Sequence, residues 1–238
     1  MSDASPIAVN RLLAALPVAE YQRLLPNLDQ VSLSLKQVIQ EVGEPIEYVY
    51  FPQNAMVSAL TTMVNGSMVE VGLVGYDGVT GIPAALGDNI AATNGIVQAA
   101  GSSMRMKPSV LKTAFGRGDV LQSLLLRYMQ AQHAFVTQNA ACNRLHHLEE
   151  RLARWLLLAC DRVRSNELPM TQEFMSYMLG VRRAGVSEAA NALQQSGLIR
   201  YTRGKVIILN RQELKAASCE CYEIINGEYV RLLGTDKG

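Results

Sequence analysis

Residues 168–210, LPMTQEFMSYMLGVRRAGVSEAANALQQSGLIRYTRGKVIILN, hold two helical patterns, a glycine between them and a basic hairpin after them. Thr171 suits an N-cap, its hydroxyl placed to accept from the orphan N–H groups of a first helix. That helix runs to about Leu179 and turns Phe174, Met175 and Met178 inward. Gly180 supplies the tight turn. A second helix from about Arg183 to Gln195 buries Val186, Ala190 and Leu193 and leaves Arg182, Arg183 and Ser187 outward at its N-terminal end. This is the helix-turn-helix arrangement, whose second helix enters the major groove of DNA N-terminus first. Gly197 ends the helix, and a hairpin turning at Arg203-Gly204 forms a wing. Its cations Arg200, Arg203 and Lys205 are suited to phosphates, which steady a protein on the duplex without reading sequence.

Charge is concentrated in the same region. Residues 151–215 carry 11 Lys/Arg against 5 Asp/Glu, whereas residues 1–118 carry 7 against 9, and the whole chain nets only +1. A basic segment inside a nearly neutral chain points to a polyanionic partner.

Working outward, the 238 residues allow two domains. Hydrophobic residues at 49% and charged residues at 18% are a globular balance, which excludes a mainly disordered chain. The longest apolar runs, such as residues 155–160, are far short of a membrane span, and no basic-then-apolar leader opens the chain. A cytoplasmic location without a membrane partner is expected. Four cysteines, Cys142, Cys160, Cys219 and Cys221, fit no disulfide framework or zinc-finger spacing.

Residues 9–25 read as two short helices broken at Pro17. Between about Val31 and Met106 short β-rich runs alternate with glycines, the pattern of an antiparallel sandwich or barrel. Residues 120–145 contain no Gly or Pro and read as one long helix. A heptad seam runs through Leu124, Tyr128, Ala131, Phe135, Gln138, Cys142 and Leu145. Either that stripe packs on its own domain or it is a dimer interface; the dimer is the expectation, with Leu124, Tyr128, Phe135, Gln138 and Cys142 at the contact. His146 and His147 interrupt the periodicity, and a new helix starts near Leu148. Three parts result: 1–118, 119–147 and 148–238.

Thr171-Gln172-Glu173, Gly180, Arg183 and Ser196-Gly197-Leu198-Ile199, with the early Gly43-Glu44-Pro45 turn and the long helix, resemble the Crp/Fnr family of bacterial transcription regulators. The resemblance implies an α+β fold: an N-terminal double-stranded β-helix sensor domain like those that bind cyclic nucleotides, a dimerisation helix, and a winged helix-turn-helix domain. It implies a homodimer on palindromic double-stranded DNA, with RNA polymerase as a further partner and no enzymatic activity. Thr171, Gln172, Arg182, Arg183, Ser187, Arg200, Arg203 and Lys205 are the expected DNA contacts, Arg183 reading a base. The family's commonest pattern has a Glu one residue after that arginine and an Arg five residues after it; here they are Ala184 and Glu188, so a different operator is implied.

In cyclic-nucleotide-binding members a glycine-rich cassette holds the ligand through a Glu and an Arg. Aligned on Gly81, the cassette has Ile82 and Ala92 at those positions. A phosphate buried without its cation is poorly compensated, so cyclic AMP is not expected as effector, and the effector stays unidentified. Iron-sulfur sensing lacks its N-terminal cysteines, and haem sensing lacks a histidine before His133. No cofactor and no metal is expected.

Two further readings concern the cysteines. Cys142 and His146 at i, i+4 offer a nucleophile and base but no orienting third group. Cys219 and Cys221, placed in a terminal helix, point to different sides and are expected to be idle, the alternative being a redox-responsive interaction protein of the same fold.

Overall fold

The computed structural model describes residues 10–202 and 204–234. Two short helices open the described chain, α1 (Arg11–Ala14) and α2 (Val18–Leu24), and Asn10 caps the first through its side chain. Strands β1 (Asp29–Leu33), β2 (Val38–Gln40), β3 (Val49–Pro52), β4 (Met56–Thr62) and β5 (Met68–Val74) follow. A single-turn helix, α3 (Pro83–Leu86), precedes β6 (Asn94–Ala99) and β7 (Gly101–Met106). All pairings are antiparallel, in a three-stranded sheet β1-β7-β3 and a four-stranded sheet β2-β6-β4-β5. Residues of both sheets meet in a core where Phe51, Met56, Leu60, Leu73 and Met106 are nearly inaccessible, and in a second cluster of Leu33, Tyr50, Ala55, Val57 and Val97.

Helix α4 (Pro108–Phe115) leads into the long α5 (Val120–Leu145), and α6 (Leu148–Val163) begins after a two-residue break. The Glu150 carboxylate and His147 close a capping box at that break. Beyond lie β8 (Glu167–Pro169), α7 (Gln172–Leu179), α8 (Arg183–Gln195), β9 (Ile199–Thr202), β10 (Lys205–Ile208), α9 (Arg211–Ala216) and α10 (Cys221–Leu233). The last three strands pair in the order β8-β10-β9. No helix among the described residues is long and apolar enough to cross a membrane.

The heptad stripe on α5 is covered by the chain itself. Leu124, Tyr128, Ala131, Phe135 and Cys142 are buried, packed against α10 and β5, and Gln138 is half-buried with its amide on Cys221. The expected dimer contact at Leu124, Tyr128, Phe135, Gln138 and Cys142 is therefore corrected: an apolar stripe shows that something covers a helix, and here the terminal helix α10 does so. Leu145, the last residue of the stripe and of α5, is exposed.

The β-domain and the C-terminal unit are joined by buried polar groups. Glu70 on β5 is almost fully enclosed and accepts hydrogen bonds from Ser58 Oγ and from Trp155 Nε1, the latter at 2.8 Å. Burial raises the Glu70 carboxyl to about 7, against the opposing pull of those hydrogen bonds and of Arg154 and Arg162. Asn139 on α5 donates to the Glu70 carbonyl at 3.1 Å and accepts from Arg154 Nη2 at 2.8 Å. Arg162 donates to the Leu73 and Leu158 carbonyls and faces Asp77 at 3.9 Å. Gly75 is needed here, because a Cβ on it would collide with the Arg162 backbone.

Candidate nucleic-acid interface

Thr171 caps α7, its Oγ1 accepting from Phe174 N at 3.2 Å. Gly180 ends the helix at φ +62°, a left-handed conformation that a side chain would strain. Arg182 then stands as N-cap of α8 and Arg183 as its first residue, both exposed. The inner face of α8 buries Val186, Ala189, Ala190 and Leu193 against α6 and α7. Its outward face carries Arg183, Ala184, Glu188 and Asn191.

Apart from the cap Thr171, the expected contacts among the described residues divide into three groups. Arg182, Arg183 and Arg200 are exposed, with no acidic partner among the described residues. Gln172 and Ser187 are half-buried and engaged with each other, Ser187 Oγ donating to Gln172 Oε1 at 2.8 Å, so they pin α7 to α8. The Tyr201 hydroxyl accepts from the Gln172 N–H at 3.2 Å, and Gln194 Oε1 accepts from Tyr201 N at 2.7 Å, which fixes the wing beside α8. Lys205 forms an ion pair with Glu167, so part of its charge is answered within the wing. Arg203 lies outside the described residues.

Sequence reasoning missed Asn191, which stands two turns along α8 from Ala184 on the same exposed face; the signal was its i+7 spacing. An asparagine there has the donor and acceptor that adenine requires. The charge count also needs revision. Arg151, Arg154 and Arg162 are buried and Arg211 pairs with Asp161, so four of the eleven cations in residues 151–215 serve the interior or its margin.

The cysteines are the second departure from expectation. Cys219 lies in the link before α10 and Cys221 is the first residue of that helix, so the rule that separates neighbours on a helix does not apply. Cys142 Sγ and Cys219 Sγ lie 3.5 Å apart, and this hydrogen bond lowers the Cys219 thiol and raises Cys142. In the cassette, Ile82 is half-buried beside the core and Ala92 is exposed.

Residues 150–217 match the model of the Crp-like helix-turn-helix domain. Among solved structures, FixK2 from Bradyrhizobium japonicum aligns with a TM-score of 0.68 at 20% identity, covering 81% of this chain and 98% of its own. A putative transcriptional regulator of the Crp/Fnr family from Eubacterium rectale aligns at 0.67 with 16% identity, covering 87% and 96%. The CRP-family regulator TTHB099 from Thermus thermophilus aligns at 0.63 with 20% identity, covering 80% and 99%. No curated protein matches the chain. The class is therefore that of helix-turn-helix proteins with the Crp/Fnr fold. Within it, residues 150–217 are similar to the Crp-like helix-turn-helix domain.

Proposed function

We infer that the chain is a sequence-specific DNA-binding transcription regulator that acts as a homodimer on two-fold symmetric sites, its effector being something other than cyclic AMP. The carrying observation is the exposed, arginine-led start of α8 beside the wing, inside the matched domain. Arg183 reads a guanine through its guanidinium, Arg182 and Arg200 meet phosphates, and Asn191 takes a second base. Residues 1–118 form the sensor domain, 119–147 the dimer helix and hinge, and 148–238 the DNA-binding domain.

The dimer uses the outward face of α5. Leu126, Met129, His133, Val136 and Ala140 follow one another at heptad steps on that face, with Leu126 and Val136 exposed by 47% and 43%. Such a dimer presents two α8 helices about one turn of DNA, roughly 34 to 36 Å, apart. The absence of a cation at Ala92 and of a carboxylate at Ile82 supports the exclusion of cyclic AMP. The test is selection of bound duplexes from a random pool at stated salt. A palindromic motif is expected; a pool that stays random under selection would overturn the reading.

A further inference from the structure

Cys142, His146, Cys219 and Cys221 come from the two ends of the C-terminal unit and meet at one point. Cys142 lies on the last turn of α5 and His146 one residue past its end, while Cys219 and Cys221 bracket the start of α10. The four potential ligand atoms all lie within 4.8 Å of one another, and all three cysteines are buried and free. Two edges of this group are 3.5 Å long, Cys142 Sγ to Cys219 Sγ and Cys221 Sγ to His146 Nδ1. A tetrahedral ion with metal–sulfur bonds of about 2.3 Å and metal–nitrogen bonds of about 2.0 to 2.1 Å has edges of about 3.5 to 3.8 Å. Small movements would close the four atoms on one ion.

The surroundings match such an ion in three ways. His146 Nε2 is 3.2 Å from Glu220 Oε2, which leaves Nδ1 facing the thiols and reproduces the carboxylate–histidine support that metal-bound imidazoles receive. Gln138 Nε2 donates to Cys221 Sγ at 3.1 Å, a bond that favours a thiolate. Three thiolates and a neutral imidazole around a divalent ion carry one net negative charge. The buried Arg154 acts electrostatically on Cys142 and Cys219, and its Nε and Nη1 have no hydrogen-bond partner among the described residues. A satellite core of idle thiols would explain the burial but not the histidine's carboxylate or a buried guanidinium with two of its three nitrogens unsatisfied.

We propose that Cys142, His146, Cys219 and Cys221 hold one zinc-class divalent ion that clasps the end of α5 to the start of α10. Thiolate and imidazole ligands select such an ion over magnesium or calcium, and four protein ligands make the site closed and structural. Binding releases the three thiol protons to solvent. The ligand pairs flank residues 148–218, so the ion ties off the DNA-binding unit at its base, beside the α5–α6 break. Loss of the ion frees α10 from the end of the long helix.

The test is metal analysis of the full chain purified under reductant, followed by titration of the metal-free chain with Co²⁺. One equivalent of zinc per chain is expected, and the cobalt form should show thiolate charge-transfer and the intense visible bands of a tetrahedral site. Cys219→Ser and His146→Ala should lose those bands while keeping native circular dichroism. Cys160→Ser, whose thiol lies outside the group, should keep them, and Glu220→Gln should weaken cobalt binding by about tenfold or more. The wild-type titration stands whether or not a variant folds. A native chain without stoichiometric metal and without cobalt bands, a Cys142–Cys219 disulfide in the freshly reduced protein, or unchanged bands in Cys219→Ser would overturn the proposal.

Discussion

Helices α6 and α8 both carry arginines, yet they use them in opposite ways. On α6, Arg151, Arg154 and Arg162 are buried and bind carbonyls, an amide and a carboxylate inside the chain. At the start of α8, Arg182 and Arg183 stand in solvent. The difference lies in what the neighbours supply. Every residue of α6 from Arg151 to Cys160 is buried, so a cation there must find its partners in the protein. Helix α8 is covered on one face only. A count of charges along a sequence measures both populations together, and only the exposed one is available to a polyanion.

The largest effect should come from α6. Arg162→Ala would leave Asp77 buried without its cation and two carbonyls without their donor, and should cost about 3 to 5 kcal/mol in chemical denaturation. Burial works against the Arg162 charge, but Asp77 and Tyr229 more than offset it and hold its pKa above the ordinary value, so this loss should be the same across neutral and alkaline pH. A loss below about 1 kcal/mol, the range of an exposed pair, would erase the contrast between the two helices.

Glu70 gives the next largest effect and a pH signature. Its carboxyl is raised from 4.5 to about 7 by burial, so the folded chain binds a proton more tightly than the unfolded chain does. Stability from this group is therefore intact below pH 4.5 and declines as the pH rises to about 7, by about 3 kcal/mol in all. Glu70→Gln should remove that slope, leaving the variant more stable than the parent at pH 8 and no more stable at pH 4. Parallel stability curves for the two proteins would show that Glu70 is not the source.

On α8 and on the wing strand β9 the effects should fall on DNA binding and leave stability alone. Arg183→Ala should cost about 1 to 3 kcal/mol of discrimination at one base pair per half-site, read by titrating single-base variants of the selected duplex. Arg200→Ala should have the smallest effect. It should weaken all duplexes about equally and flatten the logarithmic salt slope by about 0.9 for each phosphate that is no longer neutralised. If Arg200→Ala instead changed the preferred sequence, the division between reading and steadying residues would be misplaced.

The helix-turn-helix was legible because its signals are local. Thr171, Gly180 and Gly197 punctuate two periodic runs, and each does in the structure what its chemistry dictates. The strands β1, β7 and β8 were not resolved in sequence, since DQVSL and GSSMRM are mixed in polarity and ELP is three residues long. The covered face of α5 was legible as apolar, but the identity of its cover was not, because α10 lies some 80 residues away in the chain. The same distance hid the thiol group. Cys142 and Cys219 are 77 residues apart, and the start of α10 falls between Cys219 and Cys221, where a helix drawn one turn longer separates their side chains.

The central claim is that the exposed start of α8 gives the chain its sequence specificity, Arg183 by reading a base and Arg182 by holding it in register on a phosphate. The most direct measurement is the affinity of the wild type and of Arg182→Ala/Arg183→Ala for the selected duplex and for an unrelated one, at a single fixed salt concentration. The account predicts that the double variant melts like the parent, still binds both duplexes, and loses most of the ratio between them. A variant that keeps the full ratio would contradict it, and the reading face would then lie elsewhere on the domain.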